Sequence, residues 1–271
     1  MGGCDERSLS SPNPMIVKKS PEEIAHIEAA GAILARCLTM LRGKARPGVT
    51  TGDLDQAAER FIRSQGADPA FKGYRGFPGS ICTSPNSMVV HGIPGPYKLQ
   101  RGDILSIDVG VILDGWVADA AVTVPIGPVS SVARALLDTT KAALFAAVEQ
   151  CVPGNHLGDV SHACQKRVEQ DGFSVVRSLV GHGIGRDMHE DPQIPNYGDP
   201  GTGVELTEGM VLAIEPMVNA GDHPVRMGSD NWSVYSQDGS LAAHFEHTVA
   251  ITAEGPRICT PWHLEEARRA A

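Results

Sequence analysis

Gly102-Asp103-Ile104-Leu105-Ser106-Ile107-Asp108 and Gly209-Met210-Val211-Leu212-Ala213-Ile214-Glu215 follow one pattern, a glycine and a short apolar run closed by an acid. Around them the pattern widens. Pro47-Gly48 with Gly52-Asp53-Leu54, Ala57 and Gly66 is matched by Pro153-Gly154 with Gly158-Asp159-Val160, Ala163 and Gly172. The run Asp119-Ala120-Ala121-Val122-Thr123-Val124 is matched by Glu246-His247-Thr248-Val249-Ala250-Ile251. The chain therefore reads as one unit used twice. A duplicated fold that closes on itself brings equivalent positions together at its pseudo-twofold axis, so Asp108, Asp119, Glu215 and Glu246 are expected to converge.

The elements follow from local signals. Ser20-Pro21-Glu22-Glu23 is a capping box with proline at the first helical position, and Ile24, Ile27, Leu34, Leu38 and Leu41 carry helical spacing to about Arg42. Thr51 is read as the cap of a second helix that ends near Gly66. The second copy predicts helices over 132–150 and 156–170. Asp114-Gly115 is a hairpin turn between strands at 104–112 and 116–124. In that register Asp108 faces Ala121 and Gly110 faces Asp119, which sets the two aspartates diagonally on one face; a slip of one residue would separate them. Strands are expected near 210–218 and 241–252, divided by a polar, glycine-rich excursion. The sum is an α+β architecture, a duplicated antiparallel sheet covered by helices.

With 271 residues and 42% hydrophobic content, the chain can bury a substantial core. A net charge of -9 and the absence of a Lys/Arg stripe argue against nucleic acid as a partner, and Arg42, Lys44 and Arg46 read as a solvated helix end. No membrane span or signal sequence is read from the sequence, so a cytoplasmic location is expected. The six cysteines form no C-x-x-C pair and are expected to be reduced. Residues 1–14 are expected to be a disordered extension and 15–271 a single catalytic domain.

Acids inside apolar strands are the anomaly. A carboxylate without a partner is costly to bury, and no set of buried Lys or Arg accompanies these four. A solvated strand face would account for any one of them but not for the repeated set. Divalent cations are the natural counter-charge. His182 in Gly181-His182-Gly183-Ile184-Gly185 is echoed by Val90-His91-Gly92-Ile93, and the flanking glycines allow unusual backbone angles and a close approach to the imidazole. One imidazole with four carboxylates suits Mn²⁺, Fe²⁺, Co²⁺ or Zn²⁺, and four negative charges match two such ions, the arrangement of a dinuclear hydrolase.

At this level of detail Ile107-Asp108-Val109, Asp119, the His182 glycine run, Ile214-Glu215-Pro216-Met217 and Glu246-His247-Thr248 resemble the metal-binding signature of type I methionine aminopeptidases, over essentially Met15 to Ile258. The resemblance implies the pita-bread (creatinase/aminopeptidase-like) fold and removal of initiator methionine from nascent polypeptide N-termini whose second residue is small. It implies that Asp108 holds the second ion, Asp119 and Glu246 bridge both, and His182 and Glu215 complete the first. Glu215 would also be the general acid/base, His91 would transfer a proton to, or contact, the scissile nitrogen, and His189 would stabilise the tetrahedral intermediate. Tyr74, Phe77, Cys82 and Trp232, with Phe71 and Met188, match methionine-pocket positions. The run Val117-Ala118-Asp119-Ala120-Ala121 departs from the family, which usually has His-Gly before this aspartate and Thr or Ser after it. Loss of such supporting contacts can weaken metal affinity about ten- to a hundred-fold. A monomer is expected, with the ribosome as a further partner to consider. The competing readings are an X-Pro aminopeptidase or prolidase-like dinuclear hydrolase, and a non-catalytic pita-bread binding protein.

Overall fold

The computed structural model describes residues 15–264; the extension expected over 1–14, with Cys4, lies outside the described residues. Helix α1 spans Pro21–Lys44, and its capping box is formed as expected: Glu23 N–H donates to Ser20 Oγ at 3.3 Å and Ser20 N–H to Glu23 Oε2 at 2.9 Å. Helix α2 spans Thr51–Ser64 and is capped one residue earlier than expected. Thr50, not Thr51, stands three residues before Asp53 and exchanges the two capping bonds with it, each 3.0 Å. The Thr51 hydroxyl is instead committed to Gly95, accepting from its N–H at 2.9 Å and donating to its carbonyl at 3.1 Å. Helices α3 (Ser131–Val148) and α4 (Leu157–Gln170) repeat the pair in the second half.

By length and composition α1 could cross a bilayer, although no such stretch was read from the sequence. Ile27, Leu34, Leu38 and Leu41 on this helix are fully buried, so its apolarity serves the core. It even reaches across to the other half: a Cβ on Gly31 would stand 2.0 Å from the Cys259 carbonyl oxygen. One apolar core runs through both halves.

Ile104–Leu113 and Trp116–Pro125 form the hairpin, with Asp108 opposite Ala121 and Gly110 opposite Asp119, the expected register. The corresponding strands of the second half are each split in two, Val211–Ile214 with Met217–Asn219 and Ala242–His244 with His247–Thr252. The break falls at Glu215-Pro216 and Phe245-Glu246. Pro216 has no N–H to give the ladder, and the Glu246 N–H leaves it to donate to the Ala121 carbonyl of the first half at 2.9 Å. Thr123 makes a similar crossing, accepting from the His244 N–H and donating to its carbonyl, both at 2.8 Å. The two halves are thus laced together beside their acidic residues. The excursion after Asn219 is more ordered than expected: Val225–Met227 and Val234–Ser236 pair with each other, and the latter pairs with Met88–Val90. This folding brings Trp232 back over the first half.

Candidate metal centre

Asp108 and Asp119 come from the hairpin, Glu215 and Glu246 from the split strands, and His182 from Val180–Gly183, which pairs with Val211–Ile214. All five line a single cavity of about 160 Å³. One ligand atom each of Asp119, His182 and Glu246 lies within 4.8 Å of the others. His182 Nε2 stands 3.5 Å from Glu215 Oε1. Its Nδ1 is 2.8 Å from the Gly183 carbonyl, so this nitrogen carries the proton and the Nε2 lone pair is free toward the carboxylates.

Contrary to the sequence-based expectation, the glycines around His182 do not supply unusual backbone angles; Gly181, Gly183 and Gly185 all stay out of the left-handed region. They supply room. A Cβ on Gly181 would stand 2.4 Å from the Ala213 carbonyl oxygen, and one on Gly183 would stand 2.2 Å from that of Asp191. Left-handed backbone in the cavity wall is found instead at His91, with φ 60°, and at Arg75, with φ 48°.

Burial pushes the Asp108 carboxyl up to about 6 and that of Glu215 up to about 8. Burial, together with the neighbouring carboxylates, raises Asp119 and Glu246 further. Desolvation, with His189 adding to it, lowers His182 to about 4, which keeps the imidazole neutral. Asp108 Oδ1, Asp119 Oδ1 and Glu246 Oε1 are buried acceptors with no hydrogen-bond partner. Among the described residues, the ion-pair partners of Glu215 and Glu246 are histidines, with no Lys or Arg. Orphaned carboxylate oxygens around a neutral imidazole are a donor set that fits divalent cations.

The remaining predicted residues line the same cavity. Cys82 is paired in register with Asp108. Phe71 packs where Gly110 leaves space, since a Cβ there would stand 2.9 Å from its ring. Phe77 and Trp232 meet edge to face with centroids 5.1 Å apart. Tyr74 Oη is 2.8 Å from His189 Nδ1, and the His189 ring lies 4.3 Å from that of His182. Met188 and His91 complete the wall, His91 lowered to about 4 by burial and then by His244 and His189.

Two residues at the centre escaped the sequence reading. Arg75 lines the cavity with its guanidinium 5.3 Å from the Tyr74 ring centroid; its place in Gly73-Tyr74-Arg75-Gly76 was the available signal. His244 lies behind the carboxylates, 3.6 Å from Glu215 and 3.9 Å from Glu246, at the end of the strand that stops just before Glu246.

The model for metallopeptidase family M24 matches residues 25–253. A Clostridium acetobutylicum methionine aminopeptidase is 54% identical, over 91% of this chain and 99% of that protein. The crystal structure of methionine aminopeptidase from Rickettsia prowazekii superposes with a TM-score of 0.90 at 42% identity, covering 91% of this chain and all of that one. A prolidase from Pyrococcus furiosus shares the fold alone, with a TM-score of 0.74 at 24% identity over 66% of its own length.

Proposed function

The chain belongs to metallopeptidase family M24 and, within it, to the methionine aminopeptidases, and on that premise we propose how its residues divide the work of removing an N-terminal methionine. Its substrates are nascent polypeptide N-termini, and it uses divalent metal. In our reading two ions, of Co, Mn, Fe or Zn, would be held: Asp108 would hold one, His182 and Glu215 the other, and Asp119 and Glu246 would contribute to both. Bound there, the cations supply Lewis acidity for the scissile carbonyl and lower the pKa of a water.

The other steps belong to side chains. Phe71, Tyr74, Phe77, Cys82, Met188 and Trp232 receive the methionine side chain, whose thioether gains sulfur–aromatic contacts. The apolar part of this cavity of about 160 Å³ is of a size to receive a single side chain. A carboxylate oxygen of Glu215, in the wall of the cavity that receives the scissile bond, takes up and returns the proton. His91, neutral in its buried setting, faces the scissile nitrogen. With the Tyr74 hydroxyl donating into His189 Nδ1, the His189 proton resides on Nε2, where it can donate to the developing oxyanion.

The observation that carries this reading is the gathering of apolar pocket, imidazoles and four carboxylates around one cavity. We read residues 15–271 as a single catalytic domain, acting in the cytoplasm as a monomer and reaching nascent chains at or near the ribosome. The test is release of free methionine from a Met-Gly-type peptide with Mn²⁺ or Co²⁺, against Glu215→Gln. Activity lost in the variant with the fold retained is expected. Hydrolysis of X-Pro peptides instead would favour the prolidase-like reading, and a folded protein that never holds metal would favour a binding module.

A further inference from the structure

His244 is 2% exposed, and neither of its ring nitrogens has a hydrogen-bond partner. Burying a polar ring without partners is unfavourable, and an apolar side chain would avoid that cost. The ring is also held in place from the opposite half of the molecule: the His244 N–H and carbonyl are both bound by Thr123 Oγ1, which itself meets Ser106 Oγ at 2.9 Å. Nε2 stands 3.6 Å from Glu215 Oε2 and 3.9 Å from Glu246 Oε2, between one oxygen of each.

His182 provides the contrast. Its Nδ1 is bonded to a backbone carbonyl, the arrangement that commits Nε2 to a cation, and it faces the other oxygen of Glu215, Oε1. His244 Nδ1 has no acceptor to hold a proton. The proton therefore belongs on Nε2, facing the two carboxylates, and the ring is a donor toward them rather than a ligand.

We propose that His244 is a positioning residue of the metal centre: its Nε2–H closes onto Glu215 Oε2 and Glu246 Oε2, so that the opposite oxygens of both carboxylates are presented to the cations. The small closure needed turns three poorly satisfied groups into one hydrogen-bonded set when the ions are bound. It also links Glu215, the proposed proton carrier, to Glu246 through a single donor. The proposal rests on the metal-centre reading above.

The test uses the full-length protein, stripped of metal and titrated with Co²⁺ by calorimetry, as wild type, His244→Leu, His244→Met and His244→Gln. The Leu and Met forms, with no N–H, should bind about 10- to 100-fold more weakly. The Gln form, which keeps a donor, should recover most of that loss. X-ray absorption of the Co²⁺ forms should count the same number of imidazoles in all four proteins. Melts in EDTA identify any variant that fails to fold, and the two apolar variants stand in for each other. Wild-type affinity in folded Leu or Met forms would overturn the proposal. So would the loss of one imidazole from the cobalt shell, which would make His244 a ligand. A wild type that binds no Co²⁺ would instead overturn the metal-centre reading itself.

Discussion

The Asp119 N–H donates to Thr248 Oγ1 at 3.0 Å, and the same hydroxyl donates to the Asp119 carbonyl oxygen at 2.8 Å. One side chain of the second half thus satisfies both backbone groups of an acid in the first half, at a point where no β-ladder joins the two. Thr248→Val keeps the shape and removes both bonds, leaving a buried donor and a buried acceptor unpaired. We expect a loss of about 1–3 kcal/mol in stability and weaker metal binding. A valine variant that melts and titrates like wild type would show that the seam is held elsewhere.

Metal removal should make stability fall with pH. The folded-state carboxyl of Glu215 sits at about 8, above its value in an unfolded chain, so the folded form binds the extra proton. Such a contribution is complete below the unfolded value near 4 and is lost as pH rises through the folded value. Below about pH 7.5 the buried histidines, lowered in the fold, oppose this slope, because the unfolded chain still binds their protons; above it they are neutral in both states. From pH 7.5 to 8.5 Glu215 alone accounts for about 0.7 kcal/mol, or about 1–3 °C in Tm. Asp119 and Glu246, raised further, act in the same direction. Melts in EDTA across this range should slope downward, and added Mn²⁺ should raise Tm most at the alkaline end. A flat profile in EDTA would contradict the carboxylate cluster as described.

Gly181→Ala tests the contact that seats His182. The new Cβ would stand 2.4 Å from the Ala213 carbonyl oxygen and 3.4 Å from Glu215 Cγ, and the first of these is backbone in a paired strand. The strands must part, which by analogy with overpacked cores costs about 1–3 kcal/mol. Calorimetry should show the loss of one ion ahead of the other, since His182 and Glu215 share the disturbance. Full metal stoichiometry with an unchanged melt would show that the strand pair yields more easily than its geometry indicates.

How much of this was legible in the sequence varies with the range of the interaction. The Asp114-Gly115 turn fixed the register of the hairpin, and through it the diagonal of Asp108 and Asp119, because turn chemistry is local. The four acids could be placed together because duplication turns sequence equivalence into spatial proximity. Thr50 was displaced by Thr51 in the reading because the Thr51 hydroxyl is drawn to Gly95, a distant partner invisible from its neighbours. The splitting of the second-half strands depends on Glu246 bonding to Ala121 across the seam, and no periodicity records that. His244 was missed for a related reason: a single histidine next to a phenylalanine carries no pattern, and its meaning comes from Glu215, far away in the chain, meeting it beside Glu246.

Lys19 and Glu190 form a buried ion pair at the edge of the site, with side-chain exposures of 3% and 11%. Glu190 also accepts the backbone N–H of Arg186 at 2.9 Å and of Asp187 at 3.3 Å, so it gathers the turn that carries Met188 and His189. Lys19 packs against Gly185, where a Cβ would stand 2.4 Å from Lys19 Cε. The segment before α1 thereby braces the loop that bears the proposed oxyanion donor. Either Lys19→Met or Glu190→Gln leaves a buried group without its partner, and each should cost about 3–5 kcal/mol. The double variant should cost less than the sum, because no unpaired charge remains. If His189 depends on this brace, kcat for a Met-Gly-type peptide should fall in Glu190→Gln while metal affinity holds, since neither side chain lines the cavity that holds the carboxylates. Additive losses in the cycle, or a Glu190→Gln enzyme with unchanged kcat, would separate the ion pair from the placement of His189.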